Sequence, residues 1–242
     1  VSVRGNTAYD TQGVSGILTI LAGRDDAVVS FEVSPSTFHA LTVQADNGIY
    51  VNADISTTAG GIYLDGDLDD ASEDDNNNKI SFFDQVKLSA ATTLTLEATT
   101  GSIIAAGALT LFAGNGIELH DDLAQPQGIE KPLVLNADSQ NVGDGTLRIA
   151  PSKTLTSKGT LTMTAYDIDL SGSIVSTSAS SEQAVRIFTS NGLSQTLGLG
   201  DDCAKSMTLS SNELSRITSP SGISFGPTNI FICAITKLMK VE

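Results

Sequence analysis

The chain repeats one short unit in which apolar and polar side chains alternate before a small residue. Residues 94–98 read LTLEA, residues 109–113 read LTLFA and residues 161–165 read LTMTA. The six copies begin at Leu18, Leu41, Leu94, Leu109, Leu133 and Leu161, the copy at Leu133 being the loosest. Successive side chains of an extended strand point to opposite sides, so each copy predicts a short strand with leucine inside and threonine outside.

The copies are unevenly spaced, and other short apolar pairs lie between them. Their first leucines are 23, 53, 15, 24 and 28 residues apart, which indicates a repeat with inserts of variable length. The intervening pairs are Ile49 and Val51, Ile62 and Leu64, Val86 and Leu88, Ile117 and Leu119, Leu147 and Ile149, and Ile168 and Leu170. Turns rich in Gly, Asn and Asp separate them, as at residues 46–48 and 114–116.

Two architectures use many short strands at such spacing: an antiparallel sandwich or barrel, and a parallel β-helix. The repetition favours the β-helix, because similar units recurring in each coil stack into ladders of buried leucine, and each coil is stabilised by the coils above and below it. Coils of roughly 20–25 residues, with strands about 4.8 Å apart, would give on the order of ten coils in a rod about 50 Å long. We therefore predict an all-β, elongated, single-stranded parallel β-helix.

The net charge and composition of the chain limit the classes of molecule that it is expected to bind. The formal net charge is −15, from 28 acidic and 13 basic residues, and nucleic-acid binding is not expected because phosphate neutralisation needs clustered Lys and Arg. An acidic surface favours solubility and divalent cations. No segment reaches the roughly 18 apolar residues of a transmembrane helix. The chain begins at Val1 and ends in an apolar tail, so we expect an excerpt of a longer protein.

Two further local features predict little about the fold as a whole. Cys203 and Cys233 are too few for a disulfide framework or a four-thiolate zinc site, and the sequence leaves open whether they pair with each other. Residues 210–217, SSNELSRI, predict one short helical turn, with Ser211, Glu213 and Leu214 in favourable positions.

The runs GALTLFAGNGIEL and GTLTMTAYDIDLSGSI resemble the repeats of filamentous-haemagglutinin-type adhesins, and residues 206–226 are similar to another repeat of those proteins. The resemblance covers residues 15–226. It implies a right-handed parallel β-helix belonging to a large secreted or cell-surface protein, and it carries over no catalytic residue. We accordingly expect one β-helix domain over residues 1–226, with an acidic insertion at about 65–79 and an atypical tail at 227–242.

The acidic insertion suggests one metal site. Residues 65–78 read DGDLDDASEDDNNN, and Asp65, Asp67 and Asp69 place oxygen ligands at alternate positions, as at the start of a calcium loop. The match ends there, because Asp70 stands where that loop needs glycine and Asn76 where it needs glutamate. The three aspartates are the calcium candidates, and a solvated loop without metal is the alternative. No other cofactor is expected.

Other polar residues are candidates for catalytic groups. His39 and His120 are the only histidines and lack metal-ligand spacing, so both are interpreted as turn or surface residues. Parallel β-helices include polysaccharide lyases and hydrolases, which use paired carboxylates with or without a base. The tandem candidates are Asp121–Asp122 and Asp201–Asp202, and the basic candidates are the scattered Lys131, Arg148 and Arg186.

The sequence therefore favours a non-enzymatic structural or adhesive module, a stiff shaft that displays loops to protein or carbohydrate ligands outside the cell or at its surface. The alternative is a carbohydrate-active β-helix enzyme. A lateral sheet carrying several carboxylates and a base beside a cleft would favour the enzyme, and a smooth Thr/Ser/Asn face would favour the shaft. An ice-binding face is disfavoured, because Thr-x-Thr recurs at residues 93–95 and 160–162 but not at 40–42 or 108–110.

Overall fold

All strand pairs among the described residues are parallel. The structure is a computed structural model, and it describes residues 1–71, 77–178, 184–201, 203–226 and 229–233. The first nine strands are β1 Ser2–Val3, β2 Ile17–Ala22, β3 Val29–Phe31, β4 Ser36–Phe38, β5 Ala40–Ala45, β6 Ile49–Val51, β7 Ile55–Thr57, β8 Ile62–Asp65 and β9 Lys79–Phe82.

The middle of the chain continues the same pattern of short strands joined by tight turns. These strands are β10 Val86–Ala90, β11 Thr93–Glu97, β12 Ser102–Ala105, β13 Leu109–Ala113, β14 Gly116–Leu119, β15 Leu123–Ala124, β16 Leu133–Asn136, β17 Thr146–Ile149 and β18 Thr154–Ser157.

The last third contains the helical turns. Its elements are β19 Leu161–Ala165, β20 Asp167–Leu170, β21 Ser173–Ser176, β22 Val185–Thr189, a 3₁₀ turn at Gly192–Ser194, β23 Thr196–Leu199, β24 Met207–Leu209, α1 Ser211–Leu214, β25 Ile217–Thr218, β26 Ile223–Gly226 and β27 Asn229–Ile232.

The strands of the described residues form three long sheets and one short sheet. Sheet I has nine strands in the order β1-β3-β6-β9-β12-β15-β18-β21-β25. Sheet II has eight, in the order β4-β7-β10-β13-β16-β19-β22-β26, and sheet III has seven, in the order β2-β5-β8-β11-β14-β17-β20. From β3 to β22 the chain visits sheets I, II and III in strict rotation, which defines a parallel β-helix. The nine rungs of sheet I span about 40 Å at the usual strand spacing.

The core consists of columns of apolar side chains that point inward from the three sheets. In sheet III, Leu94 pairs with Ile62 on one side and Ile117 on the other, and all three are buried. Their neighbours Tyr63, Thr95 and Glu118 point outward. This alternation confirms the predicted strands, since each rung buries its inward residues only by stacking on the next rung.

The repeated units divide between two sheets. The copies at Leu18, Leu41 and Leu94 lie in sheet III, whereas the copies at Leu109, Leu133 and Leu161 lie in sheet II. Leu109, Leu133 and Leu161 stack in register as expected. Leu94 and Leu109 do not stack, because they belong to different faces of one coil. Each face needs the same inward apolar spacing, so one unit fits either face.

The rotation changes near the carboxyl end, where sheet IV has the order β24-β23-β27. β24 contacts β20, so it lies between sheet III and β23 although β23 comes first in the chain. The connection from β23 back to β24 folds over Gly198, where an added Cβ would lie 2.6 Å from Cβ of Cys203. Only glycine fits beneath this crossover.

A disulfide joins this crossover to the last described strand. Cys203 pairs with Cys233, their Cα atoms being 5.7 Å apart, and Cys233 follows β27. The bond thereby links the crossover to β27. The sequence alone left open whether the two cysteines pair with each other. The helical turn is confirmed at Ser211–Leu214, with Ser210 rather than Ser211 as its cap: Glu213 N–H donates to Ser210 Oγ, and Ser210 N–H donates to Glu213 Oε2.

Candidate functional site

The outer face of sheet III carries a continuous group of polar side chains that contact one another between rungs. In one column the register aligns Thr42, Tyr63, Thr95, Glu118, Arg148 and Asp169 on successive strands. The next column contains Gln44, Asp65 and Glu97, with His120 directly after β14. Outward side chains two residues apart share a face, so these two columns form one polar strip. We call it the sheet III strip.

Hydrogen bonds join the lower rungs of the strip. The Tyr63 hydroxyl donates to Glu97 Oε2 at 2.7 Å, and Gln44 Nε2 donates to Asp65 Oδ2 at 3.1 Å. Burial, followed by the hydrogen bond to Glu97 and the charge of Asp65, raises the pKa of Tyr63. Tyr63 therefore remains a phenol, and a hydrogen-bond donor, well above neutral pH.

Asp65 is a carboxyl group whose environment favours protonation. Burial is the main cause that raises its pKa, and the charges of Glu97 and Asp70 add to it. Hydrogen bonds from Gln44 and from the Asp67 N–H partly oppose the shift. A carboxyl with a raised pKa beside a second carboxylate is a combination that acid–base chemistry uses.

In the upper rungs of the strip, acidic side chains alternate with the imidazole of His120 and the guanidinium of Arg148. His120 lies between two carboxylates, with Nδ1 3.6 Å from Glu97 Oε2 and Nε2 3.5 Å from Glu118 Oε2. Arg148 then lies 3.9 Å from Glu118 Oε1 and 3.7 Å from Asp169 Oδ2. The His120 and Arg148 side chains are 42% and 57% exposed, so these contacts add little to stability and remain open to a ligand.

A shallow depression lies beside these charges. Its volume is about 160 Å³, and its polar lining comprises Glu118, His120, Arg148, Asp169 and Ser171. Pockets for small molecules are usually roughly 300–1,000 Å³, so the depression matches a surface contact better than an enclosed site. Adjacent carboxylates, amide and hydroxyl groups on the outer face of a parallel sheet can form hydrogen bonds to the hydroxyl groups of a carbohydrate chain.

The calcium candidates are separated by the structure. Asp65 faces the sheet III strip, whereas Asp67 is fully buried in the turn that follows β8. Asp69 is exposed, and its Oδ1 accepts a hydrogen bond from the Ala71 N–H. Residues 72–76 of the insertion lie outside the described residues. Within the described ranges, no three His, Cys, Asp or Glu side chains form a group that could hold a metal ion.

The tandem aspartates lie outside the strip. Asp121 is buried and accepts a hydrogen bond from the Ala98 N–H, and Asp122 accepts one from the Thr154 N–H. Asp201 accepts a hydrogen bond from the Ser211 N–H, and Asp202 is outside the described residues. The contacts shown for these aspartates organise turns.

The basic candidates and the two histidines lie on different faces of the β-helix. Arg148 belongs to the strip, but Arg186 lies on β22 of sheet II and Lys131 is exposed just before β16. His39 borders a separate shallow depression with Thr11 and Thr58. His120 is a surface residue as interpreted from the sequence, yet it contacts two carboxylates.

Sequence reasoning missed Tyr63, Glu97, Glu118 and Asp169 as members of one strip. The signal was present in residues 62–65, 94–97 and 117–120, which read IYLD, LTLE and IELH. Aligning these segments on their inward apolar pairs places the polar residues in two columns. That alignment requires knowing that all three segments belong to one sheet, which only the rotation of the coil establishes.

Comparison with known proteins adds no family to these observations: no family profile, curated protein or solved structure matches the chain. None of the described helices is long and apolar enough to cross a membrane.

Proposed function

We propose that the chain is a non-enzymatic structural and adhesive module, a stiff β-helical shaft that presents its lateral faces and turns to ligands. The observation that carries the proposal is the unbroken parallel register over nine rungs of sheet I. Each rung is paired on both sides except at the ends, so bending requires neighbouring ladders to break. Such a rod holds surface groups at constant spacing.

The sheet III strip is the surface that we assign to ligand contact. It offers donors such as Tyr63 and Arg148 beside acceptors such as Glu97 and Glu118, repeated at the strand spacing. A linear carbohydrate can use such a row over several sugar units, each contact being weak and the sum substantial. An extended polysaccharide fits this strip better than a compact ligand, because the depression is shallow.

A location outside the cell or at its surface belongs to the same proposal. The disulfide between Cys203 and Cys233 supports it, because such bonds persist in oxidising compartments and are rare in the cytosol. The resemblance of the repeats to filamentous-haemagglutinin-type adhesins supports it as well.

The proposal is tested by measuring retention of the purified chain on a panel of immobilised neutral and acidic polysaccharides. We expect binding to at least one class, and a loss of about tenfold in affinity when Glu97→Gln and Glu118→Gln are combined, which corresponds to about 1.4 kcal/mol. Glu130→Gln, in an exposed loop between β15 and β16, is the control for the loss of a surface carboxylate outside the strip. No retention on any carbohydrate, or equal retention of both variants, would contradict the assignment of the strip.

A second candidate function, a carbohydrate-active enzyme, is favoured by one specific observation. Glu97 and Glu118 flank His120 on a lateral sheet, and Asp65, whose pKa is raised, lies next to Glu97 on the neighbouring rung. Glycoside hydrolysis needs one protonated and one ionised carboxyl group on either side of the scissile bond. Lyases instead need a base that removes a proton, a role open to His120.

Turnover separates the two functions. Polysaccharides retained by the chain are incubated with it, and new reducing ends and unsaturated products are measured. The adhesive proposal expects neither product. Time-dependent product that Glu97→Gln abolishes, while retention persists, would establish the enzyme instead.

A further inference from the structure

The turns that lead from sheet III to sheet I stack on one another and enclose several aspartates. Four consecutive turns of this set, residues 46–48, 66–71 with 77–78, 98–101, and 120–122, form what we call the III–I corner. Three of its aspartates are buried: Asp46 is 7% exposed, Asp67 is 0% exposed and Asp121 is 3% exposed. A buried carboxylate is stable only when its oxygens are hydrogen-bonded and its charge is matched.

Asp121 shows how a buried carboxylate of the corner obtains both a hydrogen-bond donor and a cation. Its Oδ2 accepts a hydrogen bond from the Ala98 N–H at 2.7 Å, and its Oδ1 pairs with the ammonium group of Lys153. The hydrogen bond to Asp121 is the main cause that raises the pKa of Lys153, against an opposing effect of burial. Both oxygens and the charge of Asp121 are thereby matched within the protein.

Asp67 accepts a hydrogen bond from a backbone N–H, as Asp121 does, but no cationic side chain among the described residues pairs with it. Its Oδ2 accepts a hydrogen bond from the Thr100 N–H at 2.5 Å. Its Oδ1 is buried and has no hydrogen-bond partner among the described residues, and none of their ion pairs involves Asp67. A fully buried carboxylate oxygen without a partner is a costly arrangement that calls for a bound group.

Two more unpartnered oxygens lie in the same corner. Gln44 pairs with Asp65 in register, so Asp46 lies one rung from Asp67, and Asp46 Oδ2 also has no partner. Asn78, which is 4% exposed, donates its Nδ2 to Ala71 O and to the hydroxyl of Thr100, while its Oδ1 has no partner. Asp67 and Asn78 thus both bond to Thr100.

The electrostatic environment of the corner is negative. Burial raises the pKa of Asp46, and the charges of Asp69, Asp25 and Asp26 raise it further, opposed by a hydrogen bond from the Asp26 backbone. The described lysine next to this region, Lys79, donates instead to Asn77 Oδ1 and lies over the ring of Tyr50. A positive charge would offset this field in the way that Lys153 offsets Asp121.

We propose that the III–I corner binds one calcium-type divalent cation through the unpartnered oxygens of Asp46, Asp67 and Asn78. Hard cations of this class take six to eight oxygen ligands from carboxylates, amides, backbone carbonyls and water. Two carboxylates match the double charge, and the amide oxygen of Asn78 adds a neutral ligand. The site contains only two acidic side chains, so it agrees with the absence of a three-acid group among the described residues.

Calcium would tie two successive rungs together at Asp46 and Asp67, neither of which forms an ion pair with a cationic side chain among the described residues. The inference is independent of the proposed carbohydrate contact, because the sheet III strip uses other side chains. Of the three aspartates that the sequence suggested as calcium ligands, the proposed site includes only Asp67.

Isothermal titration of the calcium-free chain with calcium, and separately with magnesium, tests the proposal. We expect one calcium per chain, with magnesium binding at least tenfold more weakly because it demands stricter octahedral geometry. At calcium about 100-fold above the dissociation constant, the melting temperature should rise by roughly 5–10 °C. Asp67→Asn and Asp46→Asn should each abolish the stoichiometric binding and this rise.

The two classes of variant separate a metal site from a purely structural role. Without calcium, Asp67→Asn should melt no lower than the unaltered chain, because it removes an unmatched buried charge. Asp121→Asn is the burial-matched control: it should lower the melting temperature but keep the full calcium-dependent rise. Absence of stoichiometric calcium binding at millimolar concentration, or full retention of binding by Asp67→Asn and Asp46→Asn, would overturn the proposal.

Discussion

Tyr63 on β8 donates a hydrogen bond to the carboxylate of Glu97 on β11, one rung away, with 2.7 Å between the phenol oxygen and Oε2. The same carboxylate lies 3.6 Å from Nδ1 of His120 on the following rung. One glutamate therefore links three successive rungs of sheet III through side chains alone. This relationship joins the backbone ladder to the polar surface that we assign to ligand contact.

Replacing Tyr63 with phenylalanine should lower the free energy of unfolding by about 1 kcal/mol, because Glu97 loses a hydrogen bond in a partly buried position. Urea denaturation followed by circular dichroism measures this change. Carbohydrate retention should weaken in the same variant. Tyr50→Phe, on the outer face of sheet I, is the matched control and should leave both properties unchanged. Equal effects of the two substitutions would contradict the role given to the Tyr63 hydroxyl.

The calcium-free protein should become more stable as the pH falls from 7 towards 4. Burial raises the pKa of Asp46, Asp65 and Asp167 above the ordinary value of 3.8, so the folded chain binds protons more tightly than the unfolded chain. The resulting stability is complete below the ordinary pKa and is lost as the pH rises through each raised pKa. Thermal melts across this range should show the melting temperature rising by roughly 2–4 °C for each kcal/mol gained.

Asp46→Asn should flatten this pH dependence, because the substituted amide does not titrate. Below pH 4 the trend should reverse, because the Ala108 N–H lowers the pKa of Asp84 and the folded state then binds protons there less tightly than the unfolded state. A melting temperature that decreases steadily from pH 7 to pH 4 would contradict the assigned directions of the shifts.

Removing the ammonium group of Lys153 should destabilise the III–I corner. Lys153→Met leaves the Asp121 carboxylate buried without its ion pair, and we expect a loss of roughly 2 kcal/mol in the free energy of unfolding. Adding Asp121→Asn to Lys153→Met should recover part of the loss, because the unmatched charge disappears, and a double-mutant cycle in urea measures this coupling. Lys131→Met, at an exposed position, serves as the control.

Removing the disulfide should affect one end of the solenoid. The bond joins Cys203 to Cys233, which are 30 positions apart in the sequence. Replacing both cysteines with serine should lower the local free energy of unfolding by about 3 kcal/mol. Because each rung contacts only its neighbours, amide hydrogen exchange should accelerate in β23, β24 and β27 and stay unchanged in β10 to β14. A uniform increase in exchange along the chain would instead indicate that the solenoid unfolds as one cooperative unit.

Several elements were predictable because they depend on local patterns. The copies at Leu109 and Leu161 became strands of the expected kind, since alternation of apolar and polar residues decides which side of a strand is buried. The helical turn at Ser211–Leu214 also followed from local chemistry, because Ser210 and Glu213 cap each other within four residues. Repetition then made a stacked, parallel arrangement the expected way to bury every copy.

The candidate sites depended on contacts that no local pattern encodes. Glu97 and Glu118 flank His120 only because β11 and β14 are neighbours in register, and Asp46 lies one rung from Asp67 only because β5 pairs with β8. The acidic run itself was visible, but its carboxylates divide between a surface strip and a buried corner, as Asp65 and Asp67 show.

The amino-acid sequence by itself determined the kind of strand, the side of each strand that is buried, and hence a β-helix whose rungs resemble one another. Tertiary structure alone decided which copies share a face, how β24 inserts between β20 and β23, and which polar groups meet across rungs. The physical reason is the range of the interactions. Strand burial depends on residues two apart, whereas the paired cysteines are 30 positions apart and Asp46 and Asp67 of the corner are 21 positions apart.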